Sequence, residues 1–183
     1  MYLKIGNEYA DSELQLLSEL LSTLDEKLRE IHELMANSTD SESDGLCDRG
    51  EYLIGVGFSV IQQYITDTLT LTGIRKDRAL DIGLRYSNNH SFVSIVNAAA
   101  NWWKHSAEWV GKPVQSHQAK KTQEIVNDVI DTDDYPLSNV LAKLQGTSTI
   151  MLSALLPNLI LWRSAVDTER KNMNIYPLIA SLI

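Results

Sequence analysis

The strongest structural signal in the sequence is a regular seam of large apolar residues near the N-terminus. Its seven members alternate in steps of three and four: Leu14, Leu17, Leu21, Leu24, Leu28, Ile31 and Met35. This spacing places all of them on one side of an α-helix. We expect that helix to run from about residue 10 to 36, with Asp11 or Ser12 as its N-cap.

Three more leucines, Leu16, Leu20 and Leu34, are expected to widen the apolar stripe of this helix. A stripe wider than a strict coiled-coil seam favours packing within a bundle over a lone two-stranded coil. The first helix is therefore predicted to be one wall of a larger helical core.

The rest of the chain carries further helical patterns and no strand-like alternation or internal repeat. We predict helices over residues 50–72, 91–110, 117–130, 136–145 and 150–162, and a short helix or turn over 75–84. Gly55 and Gly57 are expected to let a neighbouring element approach closely, and Pro157 to interrupt or kink the last helix. The prediction is an all-α, single-domain bundle of about five to seven helices across residues 1–183.

Composition limits the class of protein. The chain has 183 residues, 44% of them hydrophobic, which is enough for one core. A lone cysteine, Cys47, excludes an internal disulfide and a cysteine-based zinc cage. No apolar stretch is long enough to span a membrane, and the N-terminus lacks a signal peptide's apolar region, so we expect a cytoplasmic protein without membrane contact.

The Ser/Asp-rich segment 37–49 is expected to be a flexible, exposed acidic loop.

Charge is unevenly distributed along the chain. The net charge is −8, from 16 basic and 24 acidic residues. Residues 73–121 carry eight Lys and Arg against three Asp and Glu, so this segment is positive within an otherwise acidic protein. Two interpretations stay open: a chance fluctuation on solvated faces, or a local basic patch for an anionic ligand.

The segment from Arg85 to His90 is the leading candidate for chemistry. Arginine offers a rigid fork of donors for a phosphate, and histidine exchanges a proton near neutral pH. Such a pair on one phosphodiester could cleave RNA, the imidazole moving the proton and the guanidinium stabilising charge on the phosphate. The structural alternative is a solvated arginine and a histidine that caps or packs at a helix start.

The sequence has none of the common nucleotide-binding or hydrolase motifs, and neither a metal nor a cofactor is expected.

A polar stripe along the next helix is the second candidate. Asn97, Asn101, His105 and Glu108 lie on one side of it. With Asn89 and Lys104, the residues Asn97, Asn101 and His105 are the candidate substrate contacts in the same cleft, although hydrogen bonds between helices are the favoured explanation of the asparagines and the histidine. The tryptophans of this helix are interpreted as core or dimer contacts rather than as base-stacking platforms.

Arg-x4-His at the start of a helix in a small all-α protein resembles the HEPN superfamily (higher eukaryotes and prokaryotes nucleotide-binding domain). The stretch SIVNAAANWWKHSAEW is also similar to sequences of bacterial HEPN-like proteins, and the resemblance covers roughly residues 50–130. It implies a homodimer with two motifs in one cleft and metal-independent RNA cleavage, often by a toxin or a phage-defence protein with a cognate neutralising partner. Arg85 would contact phosphate and His90 would be the acid/base. Tyr86 stands where the family commonly has a polar residue, and Asn88 or Asn89 would take that role.

A second function, from a different class, is a non-catalytic interaction or adaptor protein. It would bind its partner through the seam of the first helix. Substitution of Leu21 and Leu28 by polar residues would then abolish partner capture. Arg85→Ala would leave the activity of the protein in cells unchanged.

Overall fold

The computed structural model describes residues 3–5, 8–86, 89–110, 116–146 and 150–173. These ranges form an all-α helical bundle, which confirms the predicted fold class. The helices are α1 (Ser12–Asn37), α2 (Leu46–Thr72), α3 (Lys76–Ala79), α4 (Phe92–Trp109), α5 (His117–Asn127), α6 (Pro136–Gln145) and α7 (Leu156–Asn172). A 3₁₀ turn at Leu152–Leu155 leads directly into α7.

A small antiparallel ribbon precedes the bundle. Strands β1 (Leu3–Ile5) and β2 (Glu8–Ala10) pair with Leu3 opposite Ala10 and Ile5 opposite Glu8. The sequence analysis did not predict this ribbon, because three-residue strands are too short to display an alternating pattern.

Helix α1 forms where the leucine seam predicts it. The Asp11 carboxylate accepts a hydrogen bond from the Leu14 amide at 3.1 Å, which caps the N-terminus. Five seam residues are buried against the rest of the bundle: Leu17, Leu21, Leu24, Leu28 and Ile31. Burial of each such side chain contributes about 1.5–3 kcal/mol.

The predicted widening of this stripe is wrong. Leu16, Leu20 and Leu34 are 65%, 42% and 50% exposed, so they lie outside the buried face of α1. The apolar side chains that α1 buries all belong to the strict seam, because α2, the main neighbour of α1 in the bundle, covers that side of the helix.

The acidic loop is shorter than predicted. Helix α2 begins at Leu46, so the last four residues of the expected loop 37–49 are helical. The connection itself is mostly exposed, and its polar side chains bond to its own backbone and to one another: Asp40 Oδ1 accepts from the Ser43 amide at 3.1 Å, and the Ser38 hydroxyl donates to Asp44 at 2.6 Å. Gly45, with φ of 66°, makes the left-handed step into the helix.

Two glycines of α2 allow the close packing that the sequence predicts. A Cβ at Gly55 would lie 1.9 Å from Cδ1 of Trp103, and one at Gly57 would lie 2.4 Å from Cδ1 of Leu152. Helix α4 and the 3₁₀ turn therefore pack directly onto the backbone of α2. This contact fixes the position of α4, which carries the candidate site.

The last helix differs from its prediction in both length and shape. Pro157 lies in the first turn of α7, where proline is favoured, and the helix continues to Asn172. The apolar pattern fades after Trp162 because α7 buries charged residues there. Arg163 is 2% exposed and forms an ion pair with Asp11, which joins α7 to the start of α1.

The buried apolar side chains of α1, α2, α4, α5, α6 and α7 form one contiguous cluster. Among the described helices, none combines the length and the apolar character that a membrane crossing requires.

Candidate functional site

A narrow loop places the Arg85–His90 segment at the entrance to α4. The Phe92 amide donates to the Leu84 carbonyl at 2.8 Å, and the Tyr86 amide donates to the His90 carbonyl at 3.0 Å. The two arms of the loop therefore run antiparallel. This geometry brings the backbones of Arg85 and His90 to the same end of the loop.

Ser91 anchors the loop to the bundle. Its hydroxyl accepts from the Ser94 amide at 3.1 Å, as the predicted N-cap of α4, and it donates to the Leu80 carbonyl. Ser91 is 1% exposed. The start of α4 is thus attached to the turn that follows α3, and the candidate residues occupy a defined position rather than a free loop.

A cavity of about 710 Å³ opens beside this loop, between α3, α4 and α5. Four of the predicted site residues line it: Asn89, His90, Asn97 and Asn101. The polar stripe of α4 and the histidine of the loop therefore meet at one concave surface, as the sequence analysis expected for a common cleft.

Three predicted site residues do not line this cavity. Arg85 forms an ion pair with Asp81, with 2.8 Å between Nη2 and Oδ1, and Asp81 is itself part of the cavity wall. Lys104 donates to the side chain of Gln62, and His105 lies 3.1 Å from Glu108 on the exposed part of α4. Arg85 is therefore beside the rim, Lys104 is bonded to α2, and His105 is outside the cavity. Asn88 lies outside the described residues.

His90 is paired with a carboxylate. Its Nε2 lies 2.9 Å from Oδ2 of Asp128, in the turn that follows α5. The imidazole is 16% exposed and Asp128 is 56% exposed, so the pair lies where the cavity meets solvent. A carboxylate on one ring nitrogen fixes the orientation and the tautomer of an imidazole.

The cavity is not the basic patch that the charge count of residues 73–121 suggested. Lys76 and Lys121 line it together with four carboxylates, Asp77, Asp81, Glu124 and Asp128. The count misses Glu124 and Asp128 because they follow the basic segment in sequence, while the packing of α5 on α4 brings them to the same surface. The arginines of the segment are also neutralised locally: Arg75 pairs with Asp77, and Arg78 with Glu169.

A hydrogen-bond network behind the cavity joins α4 to α2, as the structural alternative for the asparagines expected, although its partner Gln62 was not singled out in the sequence. Gln62 Nε2 of α2 lies 2.9 Å from Oδ1 of both Asn97 and Asn101, and Gln62 Oε1 accepts from Lys104. The only sequence signal for it is a polar residue next to the apolar face of α2. The asparagines therefore have both of the placements considered in the sequence analysis. They form hydrogen bonds between helices, and they also line the cavity.

Two lysines near this wall are easier to deprotonate than usual. Burial lowers the pKa of Lys76, and burial together with the charge of Lys76 lowers the pKa of Lys104.

The tryptophans pack within the protein, as predicted. Trp102 and Trp103 pack against the core. Trp102 meets Trp109 edge-on with 5.7 Å between ring centroids, and Trp103 meets Tyr52 in the same way at 5.6 Å.

The seam of α1 is not available to a partner. Leu21 is fully buried and Leu28 is 2% exposed within the protein's own core. Loss of partner capture on polar substitution at these positions would therefore report on the core of the fold and not on a binding surface.

No family model, curated protein or solved structure matches this chain. Within the described residues, no group of three or more His, Cys, Asp and Glu side chains is arranged to hold a metal ion.

Proposed function

We propose that the protein is a metal-independent endoribonuclease of the HEPN-like kind, with His90 as its acid/base. The observation that carries the proposal is the pairing of His90 with Asp128, 2.9 Å apart, at the edge of the α3–α4–α5 cavity. An imidazole oriented by a carboxylate beside an open cavity is a common arrangement for proton transfer.

The reaction requires only proton transfer and charge stabilisation. The imidazole of His90, held by Asp128, takes the proton of a ribose 2′-hydroxyl, and O2′ attacks phosphorus. The bond from phosphorus to O5′ breaks, and O5′ takes a proton from water or from the imidazole of a second copy. The products are a 2′,3′-cyclic phosphate and a 5′-hydroxyl.

Arg85 is the proposed phosphate contact. Its side chain is 47% exposed, and its ion pair with Asp81 keeps it at the rim of the cavity. A guanidinium has five N–H donors, so a phosphate can bind while Asp81 still accepts from the same group. Lys121 on the α5 side of the cavity supplies a second positive charge.

The remaining parts of the proposal come from the resemblance. They are a homodimer with two Arg85–His90 segments in one cleft, a role as a toxin or in phage defence, a cognate neutralising protein, and location in the cytoplasm. Sedimentation of the purified protein at twice the mass of one chain would support the dimer, whereas a monomer at all concentrations would contradict it.

Cleavage of a single-stranded RNA in excess chelator tests the reaction. We expect cleavage of the RNA, products that end in a 2′,3′-cyclic phosphate, and no cleavage of the same sequence with 2′-O-methyl groups throughout. Cleavage of the methylated strand would exclude attack by O2′. Absence of RNA cleavage in both chelator and added divalent metal would refute the nuclease.

An adaptor protein that uses a different surface is the second candidate. The specific observation is the exposure of Leu16 and Leu20, one helical turn apart on α1. This hypothesis predicts that Leu16→Glu with Leu20→Glu abolishes activity in cells while the fold and the cavity stay intact. Unchanged activity of that double variant would refute it.

A further inference from the structure

The hydrogen bonds between α2 and α4 have a defined direction. Lys104 Nζ donates to the side-chain oxygen of Gln62, and an ammonium group has donors only. Oε1 of Gln62 must therefore face Lys104. The Nε2 of the same amide faces the other way and donates to Oδ1 of Asn97 and of Asn101, each at 2.9 Å.

This direction decides what the asparagines present to the cavity. Both Oδ1 atoms are turned towards Gln62, so both Nδ2 groups point elsewhere. Asn97 and Asn101 line the cavity, and in the described ranges neither Nδ2 is among the buried atoms that lack a partner. The two residues are four positions apart on α4, which makes them neighbours on one helix face. Two adjacent asparagines of the cavity wall therefore have their amide donors turned away from Gln62.

We propose that these donors bind the keto oxygens of an RNA base and give the enzyme a preference for uracil over adenine. The inference rests on the proposed ribonuclease function and names the base that the cavity selects. Uracil presents two carbonyl oxygens, whereas the hydrogen-bonding edges of adenine place an amino group beside a single ring-nitrogen acceptor. A pair of N–H donors disfavours adenine, because one of the donors then meets the amino group and stays unpaired.

A neutral carbonyl fits this wall better than a phosphate does. Four carboxylates and two lysines line the cavity, so an anion that entered it fully would face net negative charge. The backbone phosphate would remain outside, near Arg85 at the rim. A volume of about 710 Å³ is ample for one base.

Gln62 and Lys104 are positioning residues in this account, and Gln62→Glu is the variant that tests them. A carboxylate at position 62 has acceptors only, so each asparagine must turn its Nδ2 towards it and its Oδ1 towards the cavity. Lys104 would still pair with the introduced carboxylate, which keeps α2 linked to α4. The substitution therefore converts two donors in the cavity into two acceptors, which suit the amino group of adenine.

The experiment measures binding of uncleavable 2′-O-methyl octamers of uridine and of adenosine by fluorescence anisotropy. Wild type should bind the uridine octamer at least about tenfold more tightly than the adenosine octamer. Gln62→Glu should reduce this ratio to about one or reverse it. Gln63→Glu changes the adjacent, exposed glutamine of α2, which contacts Asp67, and should leave the ratio unchanged. Thermal unfolding of each variant shows whether the fold is retained.

Equal binding of the two octamers by wild type would overturn the inference, and so would absence of binding to either. An unchanged ratio in folded Gln62→Glu protein would also overturn it, because a purely structural role of Gln62 alters stability without altering base preference. The nuclease proposal is tested separately by RNA cleavage in chelator. Cleavage without uracil preference refutes the base pocket alone.

Discussion

Asp128 Oδ2 lies 2.9 Å from His90 Nε2, although 38 positions separate the two residues in the sequence. The contact joins the loop before α4 to the turn after α5. It therefore depends on the packing of these two helices against each other, and it converts a solitary histidine into an oriented imidazole at the edge of the cavity.

Asp128→Asn should lower the rate of RNA cleavage by at least about tenfold, because an amide can bind the wrong ring nitrogen and stabilise the wrong tautomer. Asp128→Glu should recover part of the rate. Single-turnover cleavage kinetics measure both. The control is Asp133→Asn, an exposed acid in the next loop. Equal rates for Asp128→Asn and the control would show that the carboxylate does not serve His90.

Gly55→Ala should destabilise the protein by about 1–3 kcal/mol, because the added methyl group would overlap Trp103 and force α2 and α4 apart. The matched control is Gly50→Ala in the same helix, where a Cβ meets nothing within 4 Å. There alanine should stabilise by about 0.5–1 kcal/mol through its helix propensity. Urea denaturation gives both values, and a neutral effect of Gly55→Ala would contradict the close contact.

Arg163→Met should cost about 3–5 kcal/mol of unfolding free energy, because it leaves the Asp11 carboxylate buried without its cation. The comparison is Arg75→Met, which breaks the pair with Asp77, whose side chains are 84% and 66% exposed. That change should alter stability by less than about 0.5 kcal/mol. Similar losses for the two variants in urea denaturation would show that the α7–α1 ion pair is not buried as described.

Asp167 should make stability depend on pH in the acid range. Burial raises the pKa of this carboxyl, but hydrogen bonds from Lys171 and Arg170 outweigh it and hold the pKa below the usual 3.8. A lowered pKa in the folded state means that the carboxylate stabilises the fold above pH 3.8 and loses this contribution as the pH falls through the lowered value.

The measurement is the difference in unfolding free energy between wild type and Asp167→Asn. The difference should be constant from about pH 5 to 7 and should shrink below the usual carboxyl pKa. Asp133→Asn, on the surface, should show no such trend. A difference that grows on acidification would contradict the assigned ion pairs.

The sequence predicts the fold well where apolar periodicity and local signals agree. The leucine seam gives α1 within two residues, and α6 has the predicted bounds 136–145. It fails for the second half of α7, because Arg163 and Asp167 are buried as ion pairs and therefore resemble surface residues in a hydropathy pattern.

The residues of the candidate site also fall into two groups, those that the sequence predicts and those that only the packing reveals. His90, Asn97 and Asn101 carry local signals, namely a position before a capped helix and a polar stripe at helical spacing. Gln62 has only its place next to the apolar face of α2 and Asp128 has no signal, because their roles depend on contacts with residues 35 to 39 positions away. Such contacts follow only from the way the helices pack.

The most direct test of the account is the cleavage rate of a single-stranded RNA in excess chelator for wild type, His90→Ala and His32→Ala. His32 is an exposed histidine of α1 remote from the cavity. We predict cleavage by wild type and His32→Ala at the same rate, and a loss of at least about a hundredfold for His90→Ala. Equal cleavage by folded His90→Ala protein and wild type would contradict the central claim that the His90–Asp128 pair performs the proton transfer.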